Sequence, residues 1–387
     1  MESLKNMFKD NIKQYSMVIA LAVIMLFFQV ISGGTLLKPL NITNLILQNS
    51  YILILAIGML LVIVAFHIDL SVGSTAAFIG AVSAILIINM HVNFILGIAI
   101  ALVIGAVIGA WQGFWIAYVK IPAFIVTLAG MLIFRGITMV ALDGTSIAPY
   151  PQGFQKISSG FIPDFFHGNG MHITTILIGI IFSLVYVIFE VRKRNDQKKY
   201  NFTTIPQSLL ILKIAGIVAV INAFTFTLAQ YKGIPNVLVL LFALIAIYTF
   251  VTTKTVIGRH IYALGGSEKA ARLSGVKTKR ITFLVFINMG ILAALSGIVF
   301  AARLNAATPN AGQNFELDAI AACFIGGASA SGGKGTIMGA IIGGLVMGVM
   351  NNGMSLMGIG IDWQQAIKGL VLLLAVAFDV YSKSKNA

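Results

Sequence analysis

Eleven apolar runs, most of them close to membrane-crossing length, constrain this chain more than any motif in it. They cover 17–31, 51–66, 74–90, 94–119, 122–142, 173–191, 208–230, 235–252, 281–301, 335–351 and 364–381. Crossing a hydrocarbon core ~30 Å thick takes about 20 apolar residues. Only helices and closed barrels satisfy their own backbone there. The runs are continuous rather than alternating, which argues against strands. A further stretch, 316–328, is too short to span alone, and glycines break several others. The expected fold is all-α: a polytopic membrane protein with 10 to 12 transmembrane segments, some broken or re-entrant, forming one transmembrane domain over residues 1–387. Composition agrees. The chain is 58% hydrophobic and 10% charged, against about 25% charged for a soluble domain. A soluble enzyme, a disordered chain and a disulfide scaffold are thereby excluded. The basic start followed by 17–31 looks like a signal peptide, but no convincing cleavage site follows Ile31, so it reads as a retained first span.

The remaining charge is lopsided, with 26 Lys and Arg against 12 Asp and Glu. Such an excess suits nucleic acid, anionic lipid or membrane topology. With twelve segments and the N-terminus inside, 19 basic residues fall inside and four outside: Lys38, Lys156, Lys232 and Arg303. Arg135, Lys213 and Lys368 fall within spans. This bias is the positive-inside pattern. It places both termini in the cytoplasm and leaves no basic folded domain for nucleic acid.

Catalytic and metal chemistry find little support. Cys323 is the sole cysteine, and the five histidines are scattered with no i, i+4 pair. The glycine-rich stretch Gly326–Thr336 resembles a phosphate loop but fails its spacing. Ala328 stands where the first Gly belongs, and Gly335 where a Ser or Thr would hold the metal. Small residues at this density suit a sharp re-entry or close helix packing. No nucleotide, metal or other cofactor site is therefore expected on this chain.

Three other regions are too unusual to be plain connectors. Between two spans lies His67-Ile68-Asp69-Leu70-Ser71-Val72-Gly73-Ser74, where Asp69, Ser71 or Ser74 could cap the next helix or contribute to a solute pathway. The 143–172 loop, expected outside, is 30 residues long and can be a binding surface or an extended spacer. The 253–280 segment, expected inside, carries seven of the basic residues. Within it Ser267 can cap a short helix with Glu268 in its first turn, and Gly275 can end it. Ala270, Ala271 and Gly275 keep that helix thin, which suits docking into a partner's groove. Arg135 inside a span is either functional or snorkels to the interface. Asn222, Asn305, Asn351 and Asn352 either line a polar path or hold helices together.

Taken in order, these residues resemble the permease subunits of bacterial sugar ABC importers of the ribose, xylose, arabinose and galactose class. The resemblance covers nearly the whole chain. It rests on Ala56-Ile57-Gly58-Met59 with Ile68–Ser74, on Pro122–Leu128 with Arg135-Gly136, and on Gly258-Arg259 through Gly275. Ala302-Arg303, Glu316–Ala322 and Ile325-Gly326-Gly327 complete it. The run from Asn351-Asn352 through Asp362-Trp363-Gln364-Gln365 to Lys368-Gly369 is similar to the xylose or multiple-sugar branch. His67, where ribose-type members more usually have a small residue, departs from the pattern and leaves the sugar open.

The resemblance implies a bacterial inner-membrane importer built from two permease copies, an ABC ATPase with two nucleotide sites and an extracytoplasmic sugar-binding protein. ATP and magnesium would sit on the ATPase. Gly258, Arg259, Gly265, Gly266, Glu268, Ala271, Arg272, Ser274 and Gly275 would couple to it. Asp69, Ser71, Gly73, Arg135, Asn222, Asn351 and Asn352 are the candidates for the pathway. Loops 143–172 and 302–316 would face the binding protein. The competing reading is an ion-coupled secondary sugar transporter, which needs intramembrane acids or ion-holding broken helices. The acids available, Asp69, Glu190, Glu316, Asp318 and Asp362, all fall at segment ends.

Overall fold

The computed structural model describes residues 2–168, 170–200, 202 and 206–384, with the side chains of 17–377 among them. The side chains of Lys5, Lys9, Lys13, Lys383 and Lys385, which belong to the 19 basic residues expected inside, lie outside the described residues. Helices account for nearly all the regular structure. Two isolated β-bridges, Ile147 with Ala307 and Phe161 with Pro235, are the only extended pairings among the described residues.

The chain runs through α1 (Glu2–Ile31), α2 (Pro39–Val64) and α3 (Val72–Ala84), which continues as a π-helical turn over Ile85–Asn89. Then come α4 (Phe94–Phe114), with a second π-helical turn at Trp115–Val119, α5 (Ala123–Ala141) and the short α6 (Gln152–Ser159). Next are α7 (Ile173–Lys199), α8 (Gln207–Ala229), α9 (Asn236–Lys254), α10 (Val256–Gly266), α11 (Glu268–Leu273) and α12 (Thr278–Leu304). The series closes with α13 (Phe315–Ile325), α14 (Ile337–Leu356) and α15 (Ile361–Ser384). Among the described residues nine helical stretches are long and apolar enough to cross a membrane, and α1 adds the shorter apolar run Met17–Ile31.

Two breaks appear where the sequence suggests them. Residues 65–71 separate α2 from α3, and α13 is only 11 residues long before the glycine-rich turn. The second helix differs from its expected span. It begins at Pro39 rather than residue 51, because proline's fixed φ and missing N–H suit a first helical turn and the polar Asn41-Ile42-Thr43-Asn44 stretch continues it.

Contacts divide the chain into two compact units. The larger comprises Met1–Leu36, Leu45–Ser159 and Val237–Ala387. Its centre is the crossing of α4 and α12, where Gly105 and Gly109 lie against the backbone of Gly290 and Phe286. Small residues let helix backbones approach where lipid supplies no hydrophobic push between them. On the other side of α12, Gly297 meets the carbonyl of Ala76 in α3. Gly326 and Gly343 do the same for the α13–α14 pair, lying against Gly339 and Ala322. Close helix packing is thus one use of the 326–336 glycines. Phe28 and Leu36 pack with Leu45, Val346, Val349 and Met354, joining α1 to α14.

The 143–172 loop is not a bare spacer. Its first half folds onto the larger unit. Tyr150 stacks on the fully buried Phe154 of α6, with ring centroids 4.2 Å apart. The Tyr150 hydroxyl lies 3.0 Å from the Gly80 carbonyl, to which it donates, and 2.9 Å from Ser83 Oγ. Asn305 Oδ1 accepts the Tyr150 N–H at 2.8 Å, so this asparagine anchors the loop.

The smaller unit, Leu37–Asn44 with Gly160–Asn236, is built on the α7–α8 hairpin. Gly179 lies against Thr225, and Lys213 pairs with Glu190 at 2.5 Å. Ahead of α7, Asp164 accepts the amides of Phe166, Gly168, Ile173 and Thr174 and the Thr174 hydroxyl. Desolvation pushes its carboxyl up, but the Thr174, Gly168 and Phe166 bonds outweigh that and hold it well below the usual carboxylate range.

Candidate functional site

The coupling segment is more structured than its sequence suggests. Thr255 turns the chain sharply out of α9 and caps α10, its Oγ1 accepting the Gly258 N–H at 3.2 Å. Gly258, Ile261, Leu264 and Gly265 form the buried stripe of α10, one helical face at i, i+3, i+6 and i+7. Gly265 and Gly266 therefore end a helix rather than form a loop before one. Ser267 then caps α11 as expected, its Oγ accepting the Ala270 N–H at 3.2 Å. Glu268 sits in the first turn, where the helix dipole favours an acid, and accepts from Thr278 Oγ1 at 3.3 Å. Gly275 follows with φ +85°, a conformation costly for other residues, and its N–H returns to the Arg272 carbonyl.

Of the nine coupling candidates, Gly258, Gly265 and Ala271 are buried supports. Arg259, Gly266, Glu268, Arg272, Ser274 and Gly275 are exposed. The tip of α11 is Leu273, 79% exposed. No periodicity marked it, because six residues are too few to define a face. A cleft of about 850 Å³ opens beside α11, with Glu268, Arg272, Lys277, Lys279 and Arg280 on one wall and Lys120 on another. The basic residues of 253–280 thus line an indentation instead of a flat rim.

Behind this face, α10 rests directly on backbone. A Cβ on Gly265 would run into the Val64 carbonyl at the end of α2. Gly333 donates its N–H to that same carbonyl at 2.9 Å, and Tyr262 donates its hydroxyl to Gly335 O at 2.7 Å. Burial raises the Tyr262 phenol, which keeps it a donor at neutral pH. This is the second use of the glycine-rich turn: it clamps α10 to the end of α2.

Five residues beyond Val64 stands Asp69. Its Oδ1 accepts the Ser71 N–H at 2.8 Å and the Ser71 hydroxyl at 2.6 Å. Gln112 Nε2 of α4 donates to Ser71 Oγ at 2.6 Å. Of the three possible caps for α3, Asp69 makes the turn that precedes the helix. The Ser71 side chain bonds none of the free helix amides, and Ser74 Oγ donates back to the Ser71 carbonyl. Gly73 lies in backbone contact with Gly312 and against Glu316 Oε2 at the start of α13. Glu316 Oε2 and Arg135 Nη2 are buried with no hydrogen-bond partner, and the two side chains attract each other electrostatically. The structure thus gathers Asp69, Ser71, Gly73 and Arg135 with Gln112 and Glu316, two residues the pathway set lacks.

The remaining pathway candidates lie elsewhere. Asn351 lines a polar cavity of about 430 Å³ whose wall also includes Tyr51, Arg303, Asp318, Gln364 and Lys368. Asn352 is buried and absent from that wall. Asn222, in the smaller unit, spends its amide on Ser183 Oγ and the Val218 carbonyl, both at 2.8 Å, which is helix packing between α7 and α8. Among the described residues no group of three His, Cys, Asp or Glu could hold a metal.

The ends of α12 organise these features. α11 and the cleft lie at its N-terminal end, through Glu268–Thr278. Tyr150, α6 and Arg303 lie at its C-terminal end. Its 27 residues span about 40 Å, the thickness of a whole bilayer.

Residues 41–376 match the family model described as branched-chain amino acid transport system / permease component. The chain belongs to this permease family. It is 39% identical to the xylose transport system permease protein XylH of Haemophilus influenzae, over 97% of this chain and 98% of the relative. It is 38% identical to XylH of Escherichia coli K12 over 97% and 94%. The ribose import permease protein RbsC of Bacillus subtilis is 34% identical over 90% and 87%. No solved structure matches. With nine apolar helices of spanning length among the described residues, the permease is a multi-pass membrane protein.

Proposed function

We propose that this chain is the permease subunit of an ATP-driven importer that takes up a monosaccharide, xylose or several pentoses and hexoses. What carries the reading is similarity over nearly the full length to two xylose permeases. The ion-coupled alternative draws no comparable support.

In the working unit two copies of the permease pair in the bacterial inner membrane, with both termini cytoplasmic. A cytoplasmic ABC ATPase holds ATP and magnesium at its two sites and hydrolyses ATP there. No cofactor is bound by the permease itself. An extracytoplasmic sugar-binding protein delivers solute at the end marked by α6 and Arg303.

The geometry supplies a path for the work. Leu273 and Arg272 present an apolar tip and a cation to the ATPase, and the cleft beside them accepts its surface. A push on α11 reaches α10 across Ser267. Gly265 transmits it to Val64 through a contact with no flexible side chain between. The 65–71 break carries it to Asp69 and the start of α3. Binding of the loaded sugar carrier at one end and closure of the ATPase at the other would then shift populations of inward- and outward-open states.

Purification of the tagged permease from its native membrane tests the assembly. An ABC ATPase should accompany it, one two-site ATPase for each pair of permease copies, together with a sugar-binding protein when sugar is present. Isolation of the permease alone under gentle detergents, with no nucleotide-binding partner, would contradict the reading.

A further inference from the structure

The cavity around Asn351 has chemistry that neither the family match nor the relatives' names assign. It lies between α2, the 303–318 segment, α14 and the start of α15, at the C-terminal end of α12. We propose that it is a binding station for an uncharged monosaccharide, occupied after the sugar leaves its carrier. This deepens the importer reading and rests on it.

Four observations point to a neutral polyol. First, the wall is rich in amides, among them Asn49, Gln313, Asn351 and Gln364, which donate and accept at once as sugar hydroxyls do. Second, two buried polar atoms of wall residues have no partner: Asn351 Oδ1, an acceptor, and Arg303 Nε, a donor. Buried polar atoms are nearly always satisfied, so an unpaired acceptor and donor on residues of one cavity wall are groups that a small side-chain shift brings to a ligand's hydroxyls. Third, two of the three charged wall residues are already matched. Lys368 Nζ lies 3.1 and 3.2 Å from the two Asp318 oxygens, so they offer polar atoms with little net charge. Arg303 keeps its positive charge and rests over the Phe300 ring at 5.7 Å, a cation–π contact that holds the guanidinium in place. Fourth, Tyr51 packs on Phe315 at 4.2 Å and on Phe300 at 5.0 Å, giving the cavity an aromatic patch for a sugar's C–H face. Concave sites with a few converging polar groups are the usual form of small-molecule sites.

Ser355 stands at the exposed rim. The single native thiol, Cys323, is buried. A Cys323→Ser, Ser355→Cys permease in membrane vesicles can therefore be labelled at the rim by a membrane-impermeant thiol reagent. Millimolar D-xylose should slow that labelling several-fold, while glucuronate and mannitol hexaphosphate should not. Protection by the acidic sugar alone would replace the neutral class with an anionic one and overturn the proposal. No protection by any of several neutral pentoses and hexoses would overturn it too.

A second measurement uses transport in the complete importer. Asn351→Leu should raise the apparent KM for the sugar about tenfold, the loss of roughly one hydrogen bond, with ATPase co-purification and carrier affinity unchanged. An unaltered KM would remove Asn351 from the site. ATP-independent uptake by the wild type would instead sink the importer reading while leaving the labelling result standing.

Discussion

Gly265 of α10 touches the main-chain carbonyl of Val64, the last residue of α2, with no side chain between them. The contact joins the helix beside the docking tip to a break that leads in five residues to Asp69. Any Cβ at 265 collides with backbone, which cannot move aside as a flexible side chain can. Gly265→Leu should therefore lower stability by about 1–3 kcal/mol, the usual range for overpacking, and weaken ATP-coupled uptake. Its neighbour Gly266 has nothing within 4 Å of a Cβ. Gly266→Ala should stay within about 0.5 kcal/mol of wild type. Thermal unfolding of the two variants in one detergent separates them, and equal midpoints would refute the contact as a constraint.

The exposed tip carries a different kind of prediction. Arg272→Glu reverses the cation beside the cleft, and Gly275→Trp puts a bulky residue at φ +85° with open space around it. Leu273→Asp removes the apolar point. Each should cut ATPase co-purification well below wild type while membrane insertion is kept, since none of these side chains is buried in the permease. Wild-type recovery of the ATPase with all three variants would remove α11 from the docking surface.

Asp69 is a hydrogen-bond acceptor in this structure, with both bonds on Oδ1. Asp69→Asn retains such an oxygen, whereas Asp69→Leu strands the buried Ser71 amide at a cost of about 1–3 kcal/mol. Transport and thermal stability should both fall further in the leucine variant. Equal losses in the two would point to a need for the charge itself.

Asp164 gives a pH dependence. Its folded-state carboxyl lies below the ordinary value of 3.8, mainly through bonds from Thr174 that outweigh desolvation. A depressed acid contributes stability that is complete above its unfolded value and is lost as pH falls through its folded one. The unfolding midpoint of wild type should exceed that of Asp164→Ala by a constant margin from pH 8 to pH 5. The margin should narrow only below about pH 4. A margin that already shrinks at pH 6 would assign the effect to another group.

The membrane helices and both breaks were legible in the sequence because a hydrocarbon core enforces long apolar runs, and interruptions in them stand out. The α11 cap was legible for a local reason: Ser267, Glu268 and Gly275 carry their own turn chemistry. What stayed hidden is long-range. Nothing in Gly265 or Gly333 announces that α10 and the glycine-rich turn share the Val64 carbonyl, since the positions are far apart in the chain and use backbone atoms common to every residue. Gln112 and Glu316 joined Asp69 and Arg135 only once α4 and α13 were placed. Asn222 and Asn351 look alike as polar residues near spans, yet one closes a helix seam and the other faces a cavity. Lys213 and Lys368, read as basic residues inside spans, prove to have acidic partners in Glu190 and Asp318.

The central claim is that uptake is driven by ATP through a partner docked at α11. The most direct measurement is the initial rate of labelled D-xylose uptake into proteoliposomes that hold the permease, its ATPase and the sugar-binding protein. Uptake should require internal ATP and the binding protein, stop with a non-hydrolysable nucleotide, and be lost in Arg272→Glu. Uptake sustained by a proton or sodium gradient in the absence of ATP would contradict it.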